Sequence, residues 1–199
     1  MSDNASRELT LVLGSSSPFR RELLDRLGLA FECHSPDIDE SSRPGETPRD
    51  LVARLSQAKA RAVAATWPQA LIIGSDQVAV IDDAILGKPG SHERAGEQLA
   101  RLSGRKVTFL TGLCLYNSES DRVQLDVVPY CVEFRDLTPA QIERYLQREQ
   151  PYNCAGSFRS EALGVTLFRR MQGDDPNALI GLPLIRLVDM LAEEGVALP

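Results

Sequence analysis

A chain of 199 residues, 43% hydrophobic and 25% charged, has the composition of a soluble globular protein and can bury a core without disulfide or metal staples. Its 28 acidic against 22 basic residues exclude a general nucleic-acid or membrane surface, although a small polyanion needs only a few local cations. Cys33, Cys114, Cys131 and Cys154 lie far apart with no C-x-x-C pair, and only His34 and His92 accompany them. A zinc site is therefore not expected, and single buried thiols are the better reading. No run is long enough to span a bilayer, and residues 1–8 lack an apolar targeting core. The expectation is a cytoplasmic protein with a frayed start, its residues 1–199 forming one domain or two lobes on one sheet.

Leu9 to Leu13 is an almost continuous apolar run, suited to a central strand. It leads into Gly14-Ser15-Ser16-Ser17-Pro18. Ser17 is a natural N-cap, Pro18 fits the first helical position and Glu22 adds acidity to the first turn. Phe19, Leu23, Leu24 and Leu27 mark an amphipathic helix that stops at Gly28. A Gly/Ser loop that joins a strand to a helix N-terminus favours an anion. Arg20 and Arg21 oppose the helix dipole, which makes sense if phosphate sits there; the alternative is a plain capped helix with an exposed arginine pair. The spacing is not that of a P-loop.

Phe31 to Ser35 reads as a short strand. The acidic loop Pro36-Asp37-Ile38-Asp39-Glu40 suits a hard cation such as Mg²⁺ or is merely solvated. Thr47-Pro48-Arg49-Asp50 approximates a capping box and opens a long helix. The apolar face of that helix runs through Val52, Leu55, Ala58, Ala62 and Val63. Lys59 lies on the same face, where a lysine either snorkels to the rim or points into a polar pocket.

Leu71 to Ile73 reads as a buried strand, loosened by Gly74 and Ser75, with Asp76 expected where the strand ends. A second β run through Val78 and Val80 turns at Asp82-Asp83 and closes on Gly87-Lys88-Pro89. An acid and a cation on neighbouring strand ends are the beginnings of a phosphate site; the alternative is a solvated hairpin. Ser91 caps a helix through Ala95, Leu99 and Leu102 that ends at Gly104. Val107–Tyr116 and Val123–Phe134 are long strands joined by a polar stretch. Thr138 caps a helix that turns Ile142, Tyr145 and Leu146 inward. Asn153 to Glu161 lacks a period and reads as a structured, functional loop. A strand over Val165–Phe168, a turn over Gly173–Asn177 and a helix from Pro183, burying Leu184, Leu187, Val188 and Leu191, complete the chain.

In order and spacing, S-S-S-P-F-R-R-E-L-L at 15–24, D-E at 39–40, Q-A-K-A at 57–60, G-S-D-Q at 74–77, G-K-P at 87–89, L-S-G at 102–104 and G-L-P at 181–183 resemble the Maf family of nucleoside-triphosphate pyrophosphatases. The resemblance runs from Leu11 to about Gly195. It implies an α/β fold in which an elongated, curved mixed sheet with flanking helices forms two lobes around a substrate cleft, as in the inosine-triphosphatase-like proteins. It also implies a homodimer and a metal-assisted conversion of a nucleoside triphosphate and water to a monophosphate and pyrophosphate. By position, Asp76 would be the proton acceptor, with Ser15, Arg20, Glu40, Lys59 and Lys88 as the other active-site residues. Glu40 rests mainly on the resemblance. Glu40 and Asp76 would hold a divalent cation, Mg²⁺ or Mn²⁺. An unperturbed aspartate has a pKa of about 3.9, so Asp76 is expected to position and deprotonate a metal-activated water.

Phe19, Ser75-Asp76-Gln77 and C-A-G-S-F-R-S-E at 154–161 resemble the branch of the family that hydrolyses 7-methyl-GTP. Ser17, Phe19, Gln77 and Glu161 complete the expected substrate-binding set, with the Phe19 ring against the base and Glu161 accepting from the guanine edge. Glu161 could instead pair with Arg159 or Arg20. Gly14 departs from the usual alanine, and Phe19 stands where a tryptophan would stack more strongly. The rival functions are a dTTP/UTP pyrophosphatase and a non-catalytic nucleotide-binding regulator of septum formation.

Overall fold

The structure, a computed structural model, describes residues 9–199; the expected frayed segment, residues 1–8, lies outside the described residues. In chain order the elements are β1 (Thr10–Leu13), α1 (Pro18–Asp25), β2 (Glu32–Cys33), α2 (Pro48–Ala64), β3 (Ala70–Ile81), β4 (Ala84–Leu86) and α3 (His92–Leu102). After these come β5 (Lys106–Asn117), β6 (Arg122–Phe134), α4 (Pro139–Glu149), two 3₁₀ turns (Ala155–Ser157 and Leu163–Leu167), β7 (Phe168–Gln172), α5 (Pro176–Ile180) and α6 (Leu184–Glu193). The fold is mixed α/β, a seven-stranded sheet ordered β2-β1-β3-β5-β6-β7 with β4 also paired to β3. β1 runs parallel to β2 and β3, and every other pairing is antiparallel.

The register of β3 creates the cleft. Along one edge, β5 pairs continuously with Leu71 to Val80. Along the other, β1 covers Ala70 to Ile73 and β4 covers Ala79 to Ile81. Gly74 to Val78 therefore has a strand on one side only, and the two ends of the sheet build up around this gap.

Strand alternation assigns the faces. Val12, Ile72 and Cys114 pack on Ala60 and Val63 of α2. Leu13, Ile73, Leu113 and Leu115 pack on Leu23 and Leu24 of α1 and on Leu187, Met190 and Leu191 of α6. At the far end, α3 and α4 cover Ala79, Ile81 and Phe109. There Phe109, Phe134, Phe158 and Phe168 form edge-to-face pairs with centroids 4.8–5.6 Å apart, the geometry favoured by ring quadrupoles.

Several expectations are corrected. The strand does not end at Asp76: Gly74 and Ser75 are fully buried members of a continuous 12-residue β3. Gly74 is there for close packing, because a Cβ on it would stand 2.1 Å from Ser56 O of α2. α1 ends at Asp25, with no acid in its first turn, and Gly28 turns the chain at φ +67°. Ala62 of α2 is exposed, and Ala60 is buried in its place. Val165 to Leu167 lies in a 3₁₀ turn, so β7 begins at Phe168. The supposed turn at 173–177 opens α5, capped by the Asp175 side chain on Asn177 N. Val188 is half-buried, and Met190 fills the core position beside Leu187. Of the four free cysteines only Cys114 is buried, and Cys33 is exposed.

Candidate active site

The Ser loop is tied to the sheet before α1 begins. Gly14 N donates to Ile73 O at 2.8 Å, and Ser15 N donates to Leu13 O at 2.9 Å. Ser15 Oγ accepts from Ser17 N at 3.1 Å and from Arg20 Nη1 at 3.3 Å. Ser17 caps α1 by accepting from Arg20 N at 3.4 Å. The Arg20 guanidinium is aimed inward, its Nε donating to Gly181 O at 2.8 Å, whereas Arg21 is exposed. Burial lowers the Arg20 pKa, and the charges of Asp76 and Glu40 oppose that shift.

Gly181 ends α5 at φ +125°, a conformation that favours glycine. Its carbonyl faces Ser75 Oγ at 3.0 Å as well as Arg20. Gln77 lines the cleft, but its amide nitrogen is committed to Thr111 Oγ1 at 2.9 Å and to Ala178 O of α5 at 2.7 Å. The Ser75 and Gln77 side of β3 thus anchors α5, which in turn positions Arg20. Gly181 and Ser75 are not among the expected site residues, although both belong to motifs that carry the resemblance, G-L-P at 181–183 and G-S-D-Q at 74–77.

Asp76 points to the other face, towards α2. Lys59 Nζ stands 2.6 Å from Asp76 Oδ1 and 2.7 Å from Glu40 Oε1, joining both carboxylates through one buried ammonium. The helix-face lysine is therefore a pocket lysine. The hydrogen bond from Lys59 holds the Glu40 carboxyl below its ordinary pKa, and burial opposes this while the charges of Lys59, Lys88 and Arg20 reinforce it. The acidic loop is fastened to the same helix that carries Lys59. Arg54 Nε donates to Glu46 Oε1 at 2.6 Å, and its Nη2 donates to Glu46 Oε2 at 2.8 Å and to Ser41 O at 3.0 Å. Lys88, just past β4, is exposed on the cleft wall and makes no ion pair within 4 Å among the described residues.

All ten expected site residues line or border one cleft of about 820 Å³ over the open edge of β3. Ser15, Arg20, Glu40, Lys59, Asp76 and Lys88 gather at one end. Phe19 and Glu161 face the other end, where Glu161 Oε1 lies 3.3 Å from Arg159 Nε and the Arg159 guanidinium covers the Phe19 ring. Arg159 is a further cleft residue, named before only as a possible partner of Glu161.

Among the described residues no group of three or more His, Cys, Asp or Glu could enclose a metal. Glu40 and Asp76 nevertheless suit Mg²⁺, which keeps several waters and takes one or two carboxylates together with substrate phosphates. Each engages Lys59 through a single oxygen, which leaves the second oxygen as a donor. Among the described residues no helix is long and apolar enough to cross a membrane.

Comparison with known proteins covers nearly the whole chain. The 7-methyl-GTP pyrophosphatase of Pseudomonas syringae pv. tomato is 63% identical over 190 residues, 96% of this chain and 99% of that one. That of Methylobacillus flagellatus is 61% identical over 186 residues, 94% and 97% of the two chains. That of Pseudomonas aeruginosa is 60% identical over 189 residues, 95% and 98%. Among solved structures, the Staphylococcus aureus Ham1 protein shares the fold at a TM-score of 0.51 and 13% identity, over 94% of this chain and all of the other. Residues 10–194 match the Maf-like protein profile, and the chain belongs to the Maf family.

Proposed function

We propose that this cleft hydrolyses the α–β phosphoanhydride of a nucleoside triphosphate, releasing a monophosphate and pyrophosphate, and that 7-methyl-GTP is its substrate. The observation that carries the reading is the Glu40–Lys59–Asp76 cluster, which shares a cleft with Arg20, Lys88 and the N-terminus of α1. Relatives 60–63% identical over nearly their full length bear the name 7-methyl-GTP pyrophosphatase.

The triphosphate lies against the Ser15 loop, where the first N–H groups of α1 favour an anion. Arg20 and Lys88 neutralise its charge and orient it, and Lys59 is placed to meet the charge that develops on the leaving pyrophosphate. Asp76 receives a proton from the attacking water as its oxygen bonds to the α-phosphorus. The bond from that phosphorus to the bridging oxygen breaks in line, and pyrophosphate departs with the electron pair. A divalent cation, held by Glu40 and Asp76, would lower the pKa of water and neutralise phosphate charge. Ser15 Oγ already accepts two N–H donors, and burial pushes the Cys154 thiol pKa up, so neither is poised as a nucleophile. A cytoplasmic homodimer belongs to the same proposal: four free cysteines suit a reducing compartment, and the dimer rests on the family resemblance.

Pyrophosphate release from 7-methyl-GTP, GTP, dTTP and UTP, with Mg²⁺ or with chelator, tests the reading. The expected result is metal-dependent turnover, fastest on 7-methyl-GTP. Asp76→Asn is expected to lower kcat at least ~100-fold, the scale of a lost acid–base group, while nucleotide still binds. Binding without turnover of any nucleotide would establish a regulator instead.

A further inference from the structure

The distal end of the cleft holds a cation before any ligand arrives. Arg159 Cζ lies 5.2 Å from the Phe19 ring centroid, inside the range of cation–π attraction. Its Nη1 is 3.3 Å from Glu149 Oε1 and its Nε is 3.3 Å from Glu161 Oε1. Both distances exceed the ~2.7–2.9 Å of tight charge-assisted pairs.

The backbone around Arg159 is held by the fold, whereas its side chain reaches the cleft surface. Arg159 N donates to Tyr145 Oη at 3.2 Å, and a Cβ on Gly164 would stand 2.2 Å from Arg159 O. The Arg159 side chain itself is 37% exposed. Glu149 is held independently, accepting from Leu163 N at 3.1 Å, and its side chain is only 11% exposed. If the guanidinium swings out, an aromatic face and two carboxylates remain. Burial disfavours the Arg159 charge, but the Glu161 hydrogen bond and the charges of Glu161 and Glu149 outweigh it and hold its pKa above the ordinary value.

We infer that Arg159 is a resident stand-in for a cationic base: its guanidinium occupies, on Phe19 and between Glu149 and Glu161, the place that a positively charged N7-alkylated purine takes in the complex. This rests on the nucleotide reading of the cleft and adds to it a resident competitor for the base. A neutral purine that displaces Arg159 leaves two carboxylates facing it without compensation. A cationic purine restores the balance, so Phe19 and the two carboxylates select the alkylated ring, while Arg159 raises the affinity that any base must reach to displace it. Were the base instead to insert between Phe19 and Arg159, the guanidinium would stack on it and favour a neutral ring. The two arrangements predict opposite signs for removal of Arg159.

The test compares Arg159→Leu with the wild type in two readouts: the separate KM values for GTP and 7-methyl-GTP, and calorimetric affinity for guanosine and 7-methylguanosine, neither of which is turned over. The stand-in role predicts that Arg159→Leu tightens binding of both forms about threefold or more, the scale of one cation–π contact, with their ratio little changed, because each loses the same resident competitor. An affinity for either nucleoside that falls or stays constant overturns the inference. Should Arg159→Leu fail to fold, Glu161→Gln serves instead, and it is expected to weaken 7-methylguanosine binding more than guanosine binding; equal losses overturn the inference. Nucleoside binding is independent of hydrolysis. Loss of turnover on every triphosphate would therefore refute the enzyme reading and leave the nucleoside comparison to decide the role of Arg159.

Discussion

Asp76 lies directly opposite Gly112 in the β3–β5 ladder, and the side chain that Gly112 lacks is what lets α2 deliver Lys59 to Asp76. A Cβ on Gly112 would stand 2.4 Å from both Ser56 Oγ and Val52 O. Ser56 is one helical turn before Lys59, so α2 is seated on two bare patches of sheet backbone, Gly74 and Gly112. Gly112→Ala is expected to push α2 outward and cost about 1–3 kcal/mol, as overpacking does. Thermal unfolding measures that cost. A fall in kcat/KM at a temperature where the variant is fully folded measures the displaced ammonium. Wild-type stability with wild-type activity would show that α2 does not depend on this contact.

Lys59→Met separates charge from packing. Methionine fills the volume of the stem, so what disappears is the ammonium between Glu40 and Asp76. Breaking a fully buried pair by removing one partner costs roughly 3–5 kcal/mol. Here the expected loss is below about 3 kcal/mol, because Arg20 also faces both carboxylates and the cleft is open to water. The kcat/KM for the triphosphate should fall ~100-fold or more, the scale of one lost electrostatic donor. A large drop in Tm with unchanged kcat/KM would make Lys59 a structural residue.

The residues that converge on the phosphate end of the cleft were legible because each breaks a local pattern. Lys59 interrupts an apolar helix face, Arg20 opposes a helix dipole and Ser17-Pro18 announces a helix start. The course of β3 through Asp76 was not legible. Gly74 and Ser75 look like a strand end, yet they are small because α2 and α5 press against them from opposite faces. α5 was missed because five residues are too few for a helical period, and its cap at Asp175 resembles an ordinary turn. Arg159 could not be assigned from spacing, since its partners Phe19 and Glu149 reach it only through the tertiary fold.

The loop that carries Glu40 offers a prediction in pH. Its anchor is Glu46, whose carboxyl is held down to about 2, chiefly by its hydrogen bond from Arg54 against a smaller opposing effect of burial, with help from Arg43. A depressed carboxyl pKa contributes stability that is fully present above the ordinary value of 4.5 and is lost as pH falls towards about 2. Glu46→Gln should therefore be less stable than the wild type at neutral pH, with the gap closing between pH 4.5 and about 2. Denaturant unfolding across that range measures the gap. A gap independent of pH would mean that the carboxylate charge is not what holds the loop.

Arg20→Lys tests whether charge alone suffices beside the Ser loop. Arg20 donates from two different nitrogens, Nε to Gly181 O and Nη1 to Ser15 Oγ, so its planar fork links α5 to the phosphate loop while, among the described residues, its remaining N–H groups stay free for substrate. Lysine keeps the positive charge but offers one compact ammonium on a flexible stem, which cannot hold both positions and present a flat donor edge at once. The variant is expected to lose about 10–100-fold in kcat/KM, the range of a lost charge-assisted hydrogen bond. Ser15→Ala removes a single acceptor and leaves the Gly181 contact in place, so it should cost less. Because the fork orients the phosphates in the ground state as well as during the reaction, KM should rise together with a fall in kcat. Near-normal kinetics in Arg20→Lys would reduce Arg20 to a diffuse counter-charge and leave orientation of the triphosphate to the N–H groups of α1.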